Sequence, residues 1–151
     1  MIKEILINAY TNDLQRVIGE IEKYKSDDDL WLTSENIPNS GGNLALHLIG
    51  NIKHFFGSVL GETGYIRERD LEFSAENIPR ADIISALNEA SEVLKTSLSN
   101  LSDEDFYADY PEEIFGGVQK TPAVAVYMLN HLNYHLGQIN YHRRLLADKS
   151  N

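Results

Sequence analysis

The chain has 151 residues, 42% hydrophobic and 24% charged, and no cysteine. That length suits a single domain, residues 1–151, able to bury a core without covalent staples, and the missing cysteine excludes disulfides, thiolate metal sites and a cysteine nucleophile. With 13 basic against 23 acidic residues the net charge is -10, which repels phosphate backbones and argues against a nucleic-acid partner.

The N-terminus, Met1-Ile2-Lys3-Glu4, runs into polar residues without the basic head and apolar stretch of a signal peptide. No run approaches the roughly 20 apolar residues of a membrane span. The expectation is a cytoplasmic protein with no membrane partner. A first helix is predicted over residues 2–24, where Ile2, Ile5, Leu6, Ala9, Val17, Ile18 and Ile21 recur three and four apart and share one stripe. A second follows Pro38-Asn39-Ser40-Gly41-Gly42 and spans residues 43–60. Its apolar residues, Leu44, Leu46, Leu48, Ile49, Ile52, Phe55, Phe56 and Val59, cover nearly all sides, as in a mostly buried helix, with Gly61 and Gly64 as stops.

A third helix follows Pro79 over residues 80–100, with Ile83, Ile84, Leu87, Ala90, Leu94 and Leu98 inside and Asn88, Glu89, Glu92 and Lys95 outside. The fourth spans residues 121–147. Thr121 can cap it, Pro122 fits its first position, and Arg143 and Arg144 lie near its negative end. Residues 106–110 and 114–118 offer a brief strand pairing. The linkers 62–79 and 101–120 far exceed the usual four to six residues, and long ordered loops in a small domain often line a site. Together these elements predict an all-α four-helix bundle with at least one long crossover.

The histidines carry the chemistry. On the last helix Val124, Met128, His131, His135, Gln138, His142 and Leu145 form one stripe, beside a core stripe of Ala125, Leu129, Leu132, Leu136, Ile139 and Leu146. His131 and His135 are four apart, so both imidazoles lie on one side, one turn apart, and can share an ion near 2.0–2.1 Å. His47, in the middle of the second helix among leucines, is the best third ligand. Three histidines without a fourth protein ligand leave room for water or substrate, the pattern of a catalytic site. Nitrogen ligands favour Zn²⁺ or Ni²⁺ over Ca²⁺ and Mg²⁺. The bland alternative is three satisfied core histidines. Against it, all three sit on apolar faces, where an unpaired polar ring costs free energy.

Absences narrow the reaction. His131-Leu132-Asn133-Tyr134-His135 lacks the glutamate of HExxH, and no Glu-x-x-His supports a di-iron carboxylate site. The last helix holds no acid between Thr121 and Asp148. A base would be water held by the ion, a tyrosine such as Tyr134, or a loop carboxylate. No catalytic residue is assigned. Asn51, one turn after His47, and Gln138, three after His135, are candidates beside the ion or in its pocket. His54 and His142 each lie seven residues, about 10 Å, from the nearest of the three and read as structural. Arg67, Arg69, Asp70 and Glu72 read as a surface charge patch of little energetic weight, with the alternative that Arg67 or Arg69 meets an anionic substrate.

Asn130-His131-Leu132-Asn133-Tyr134-His135-Leu136-Gly137-Gln138 resembles the NHxxxHxGQ segment of the DinB-like (DinB/YfiT) superfamily. The stretch from Asn43 to Asn51 is similar to its first-ligand helix, and Arg67-Glu68-Arg69-Asp70-Leu71-Glu72-Phe73 to the RxRDxEF loop of one uncharacterised branch. The resemblance implies an up-down-down-up four-helix bundle, often a homodimer, with divalent-metal ligands at His47, His131 and His135. It implies chemistry like that of metal-dependent thiol S-transferases or of a thiol-using maleylpyruvate isomerase; many other relatives carry only the label of metal-dependent hydrolase. Leu136 stands where relatives often carry Arg, so no basic group beside the second histidine is carried over. The leading expectation is therefore a metal-dependent enzyme acting on a small molecule, with thiol transfer ahead of hydrolysis on the resemblance alone. The partners implied are a small substrate and a low-molecular-weight thiol. The alternatives are a non-catalytic metal- or small-ligand-binding bundle and an interaction protein with histidines in its core.

Overall fold

The structure, a computed structural model, describes residues 1–148. It is all-helical, and among the described residues no strand forms. α1 (Ile2–Glu22) packs against α5 (Arg80–Asn100) and α7 (Thr121–His142). α2 (Gly41–Ile52) packs against α5, α7 and the short α4 (Arg69–Ser74). A 3₁₀ turn, Asp28–Trp31, and the short helices α3 (Val59–Gly61) and α6 (Asp103–Tyr107) complete the chain. Among the described residues no helix is long and apolar enough to cross a membrane.

The expected helices form, with shifted ends and faces. α1 buries Leu6, Tyr10, Leu14, Val17, Ile18 and Ile21, whereas Ile2 and Ile5, expected in its stripe, are exposed. Tyr10 takes a core place because its hydroxyl donates to the Ala125 carbonyl at 2.6 Å, which satisfies its one polar atom, while its ring meets Phe56 edge-on at 5.1 Å. α2 starts at Gly41 rather than Asn43, since the Ser40 hydroxyl accepts from the Asn43 amide at 3.1 Å and caps it. Every α2 residue except Leu46 is buried, as its all-round apolar sequence requires.

Beyond Ile52 the helix widens into a π turn, Lys53–Ser58, where the Phe55 carbonyl accepts from the Tyr110 hydroxyl at 2.8 Å. It stops after Gly61, where Glu62 is left-handed (φ 50°); Gly64 lies in the following loop. At the start of α7 Lys120 holds the cap position and Thr121 is already helical, so the threonine makes no side-chain cap. A π turn, Arg143–Ala147, extends α7.

The strand pairing expected across residues 111–113 is absent. Asp103–Tyr107 is helical, with the Ser102 hydroxyl accepting from the Asp105 amide. The extended residues after it pair further on instead: the Tyr110 amide donates to Gln119 and the Thr121 amide to Ala108, while Ile114 and Gly117 close a tight turn on themselves. Both long linkers thus contain a short helix. The one in residues 62–79, α4, packs on α2 and completes the site.

Candidate metal centre

α2 presents Asn43, His47, Gly50 and Asn51 along one side, because positions three and four apart share a helix face. α7 brings Met128, His131 and His135 to the same place by the same periodicity. Across the two helices His47 Nε2 lies 3.1 Å from His131 Nε2, and His135 Nε2 lies 3.0 Å from the same atom. The candidate ligand atoms of the three residues all fall within 4.8 Å of one another. His47 is buried; His131 and His135 are half-buried.

The outer nitrogens fix the tautomers. His47 Nδ1 lies 2.9 Å from Glu72 Oε1, and His135 Nδ1 lies 2.7 Å from Gln138 Oε1. Burial pushes the Glu72 carboxyl up, but hydrogen bonds from Arg67 and His47 outweigh it and hold the group below the usual carboxylate range. Glu72 is therefore ionised at neutral pH and accepts the His47 Nδ1 proton, and the Gln138 carbonyl oxygen accepts that of His135. Both Nε2 atoms then carry lone pairs aimed inward. Burial, with the neighbouring His135 and His47, depresses His131 to about 4. Burial likewise lowers His135, against the Gln138 hydrogen bond.

This arrangement fits a cation. A neutral His131 has one proton; placed on Nε2 it satisfies only one of the two facing lone pairs, and its Nδ1 is buried without a partner. A tetrahedral ion with three imidazole nitrogens at 2.0–2.1 Å sets them about 3.3 Å apart, close to the two spacings of 3.1 and 3.0 Å made by His131. Three imidazole nitrogens converging from two helices are a donor set that a divalent ion can satisfy.

Glu72 is the residue the sequence reading undervalued. The group expected as a surface charge patch is largely internal at this point: Arg67 Nε donates to Glu72 Oε2 and Arg67 Nη2 to Oε1, both at 2.9 Å, and the carboxylate is buried. α4 is clasped to α2 by Asn43, whose Nδ2 donates to the carbonyls of Glu72 at 3.1 Å and Ala75 at 2.8 Å. Gly50 makes the approach possible, since a Cβ there would stand 2.6 Å from Glu72 Cδ. Phe73 packs on His47 with ring centroids 4.9 Å apart, and the Arg69 guanidinium lies 5.3 Å over Phe73. Three clues to this arrangement were in the sequence: a ligand histidine wants a partner for its second nitrogen, a glycine stands three residues after His47, and a loop carries Arg and Glu.

The other candidates divide. Gln138 and Arg67 lie beside the histidines as described. Asn51 is buried, and its Nδ2 reaches Met128 Sδ at 3.6 Å. Tyr134 is 65% exposed; its ring edges His135 at 5.3 Å and no side-chain hydrogen bond holds its hydroxyl among the described residues. His142 is structural: Nε2 donates to the Leu32 carbonyl at 2.7 Å, so Nδ1 accepts from the Tyr24 hydroxyl at 2.6 Å. His54 pairs with Glu112 at 3.4 Å, away from the cluster.

The fold and site define an all-helical protein with a three-histidine cluster, one ring buried and two half-buried, backed by an Arg–Glu pair. The chain belongs to the family described as protein of unknown function (DUF1572), whose model matches residues 6–151. No curated protein matches it.

Proposed function

We propose that this protein is a DinB-like four-helix bundle of up-down-down-up sense that holds a divalent ion, Zn²⁺ or Ni²⁺, on His47, His131 and His135. It is read as a metal-dependent enzyme of thiol S-transferase-like or hydrolase-like chemistry on a small molecule. The observation that carries the reading is the convergence of three Nε2 atoms whose outer nitrogens, in two of three cases, are already committed to Glu72 and Gln138. Bound there, the ion supplies Lewis acidity that brings a water or thiol near its deprotonation point at neutral pH. The chain's own groups orient it: Glu72, fixed by Arg67, holds the His47 ring and its tautomer, and Gln138 does the same for His135. With no cysteine in the chain, any reacting thiol comes from a cosubstrate.

A second reading, a non-catalytic metal- or small-ligand-binding bundle, is favoured by the absence of a free base at the cluster among the described residues. Both Glu72 oxygens are engaged, the Tyr134 hydroxyl is unheld, and α7 contributes no acid. Metal analysis of purified protein tests the centre: one divalent ion per chain, lost in His131→Ala, supports it, and no bound ion sinks it. Incubating the loaded protein with a thiol and a panel of electrophiles and esters separates the two readings. A rate that vanishes in His47→Ala supports the enzyme. The proposed setting is cytoplasmic, as a homodimer for which exposed Tyr134 and Tyr141 on α7 offer apolar surface, without a nucleic-acid or membrane partner.

A further inference from the structure

Resting on the metal reading of the histidine cluster, we infer that Asn51 is the hydrogen-bond donor for a small oxyanion drawn to that cluster, and that carboxylates are the ligand class selected. Asn51 is a carboxamide only 5% exposed, and its one side-chain hydrogen bond among the described residues runs 3.6 Å to a thioether sulfur, a weak acceptor. A buried amide whose recorded partner is so weak an acceptor is costly, so the pairing points to a missing, stronger acceptor.

Its position says where that acceptor sits. Asn51 follows His47 by four residues on the same face of α2, about 6 Å along the axis. The Met128 that it touches precedes His131 by three residues on the same stripe of α7. Helix periodicity therefore sets Asn51 and Met128, in contact with each other, one turn from the converging nitrogens. Among the described residues no carboxylate shares a hydrogen bond with Asn51. Glu72 lies on the far, Nδ1 side of the His47 ring, saturated by Arg67, and α7 carries no acid before Asp148. One oxygen of a carboxylate drawn to the cluster leaves the second to accept from Asn51 Nδ2, while the Met128 side chain keeps water from competing.

The test is binding, read from the visible absorption of cobalt-loaded protein titrated with acetate and, separately, with ethanethiol, which has no second acceptor. Asn51→Leu, close in size, weakens acetate about tenfold, the usual loss for a hydrogen bond to a charged group, and leaves ethanethiol within twofold. Asn51→Asp replaces the donor by an oxygen and weakens acetate at least as much, so a poorly folded Leu variant does not end the test. Acetate affinity within twofold of the unsubstituted protein in cobalt-loaded variants overturns the inference alone. So does equal weakening of acetate and ethanethiol, which marks a structural role. Failure of the unsubstituted protein to bind cobalt overturns the metal reading and this inference with it.

Discussion

Replacing Glu72 by glutamine tests the link between α4 and the histidine cluster. The carboxylate receives three hydrogen bonds at 2.9 Å, two from Arg67 and one from His47. Glutamine keeps one acceptor oxygen and replaces the other with an N–H₂ that must face either the guanidinium or the His47 Nδ1 proton. At least one charge-assisted bond is lost, worth roughly 1.5–3 kcal/mol, and the Arg67 charge is left without its counter-charge in a mostly buried place. The metal-free variant should be less stable by about 2–3 kcal/mol, allowing for the part of Arg67 that water still reaches. At 2–4 °C per kcal/mol for a chain of this size, its melting temperature drops by about 5–10 °C. Because His47 also loses the anion that orients it, zinc affinity should fall 10–100-fold by chelator competition. Urea unfolding of the single and double variants with Arg67→Ala completes the test, with a coupling energy above about 1 kcal/mol expected for groups in direct contact. A stability within 0.5 kcal/mol of the parent, roughly the range of an ordinary surface substitution, would show that Glu72 is not the buried partner.

Four further outcomes follow from the same geometry. Gly50→Ala drives a Cβ into the Glu72 carboxylate and should cost about 1–3 kcal/mol in urea unfolding; an unchanged midpoint would mean that α4 does not lie against α2 there. Zinc at about 100 times its dissociation constant should stabilise by about 2.7 kcal/mol and raise the melting temperature by about 5–10 °C, reversibly with chelator and not in His131→Ala. Burial holds the His142 imidazole below the usual histidine range although the Leu32 carbonyl pulls the other way. The unfolded chain, with histidine near 6.5, then binds more protons below that pH, so the stability of metal-free protein falls as pH drops from about 6.5; urea midpoints from pH 7.5 to 5 should decline, less steeply in His142→Gln. Tyr24→Phe removes the hydroxyl that donates to His142 Nδ1 and should cost about 1–2 kcal/mol by the same measurement, with a smaller effect excluding that bond.

The parts legible in the sequence were those written as periodicity. The ends of α5 and the burial of α2 follow from where apolar residues recur, and His47, His131 and His135 were found because polar rings interrupted apolar faces. The pattern failed where a polar group is buried with its partner. Tyr10 was left out of the α1 stripe because an alternation of apolar letters cannot credit a hydroxyl that finds the Ala125 carbonyl on another helix. Glu72 was assigned to the surface because Arg and Glu in a loop usually pair in water, and only the packing of α4 on α2 removes that water. The misplaced strand pairing has a similar cause: Phe106 reaches the core from a helix turn, so alternation beginning at that residue described no strand.

One face of α2 explains why the loop residues matter as much as the ligands. Asn43, His47 and Gly50 lie along it, and each meets a different part of α4 or its C-cap: the Glu72 and Ala75 carbonyls, the Glu72 carboxylate, and the space that carboxylate fills. The Ser40 hydroxyl donates to Asn43 Oδ1 at 2.6 Å, so the residue that caps α2 also orients the residue that anchors α4. The order of α4 and the orientation of His47 are therefore parts of one hydrogen-bonded unit. Loosening the loop frees the Glu72 carboxylate, releases the His47 Nδ1 proton to other acceptors, and allows its Nε2 lone pair to turn away from His131. A cation that needs that lone pair stabilises the loop in return, by the reciprocity of linked equilibria. The RxRDxEF segment is in this sense part of the histidine site, although only one of its carboxylates is used there and none of its atoms belongs to the three converging nitrogens.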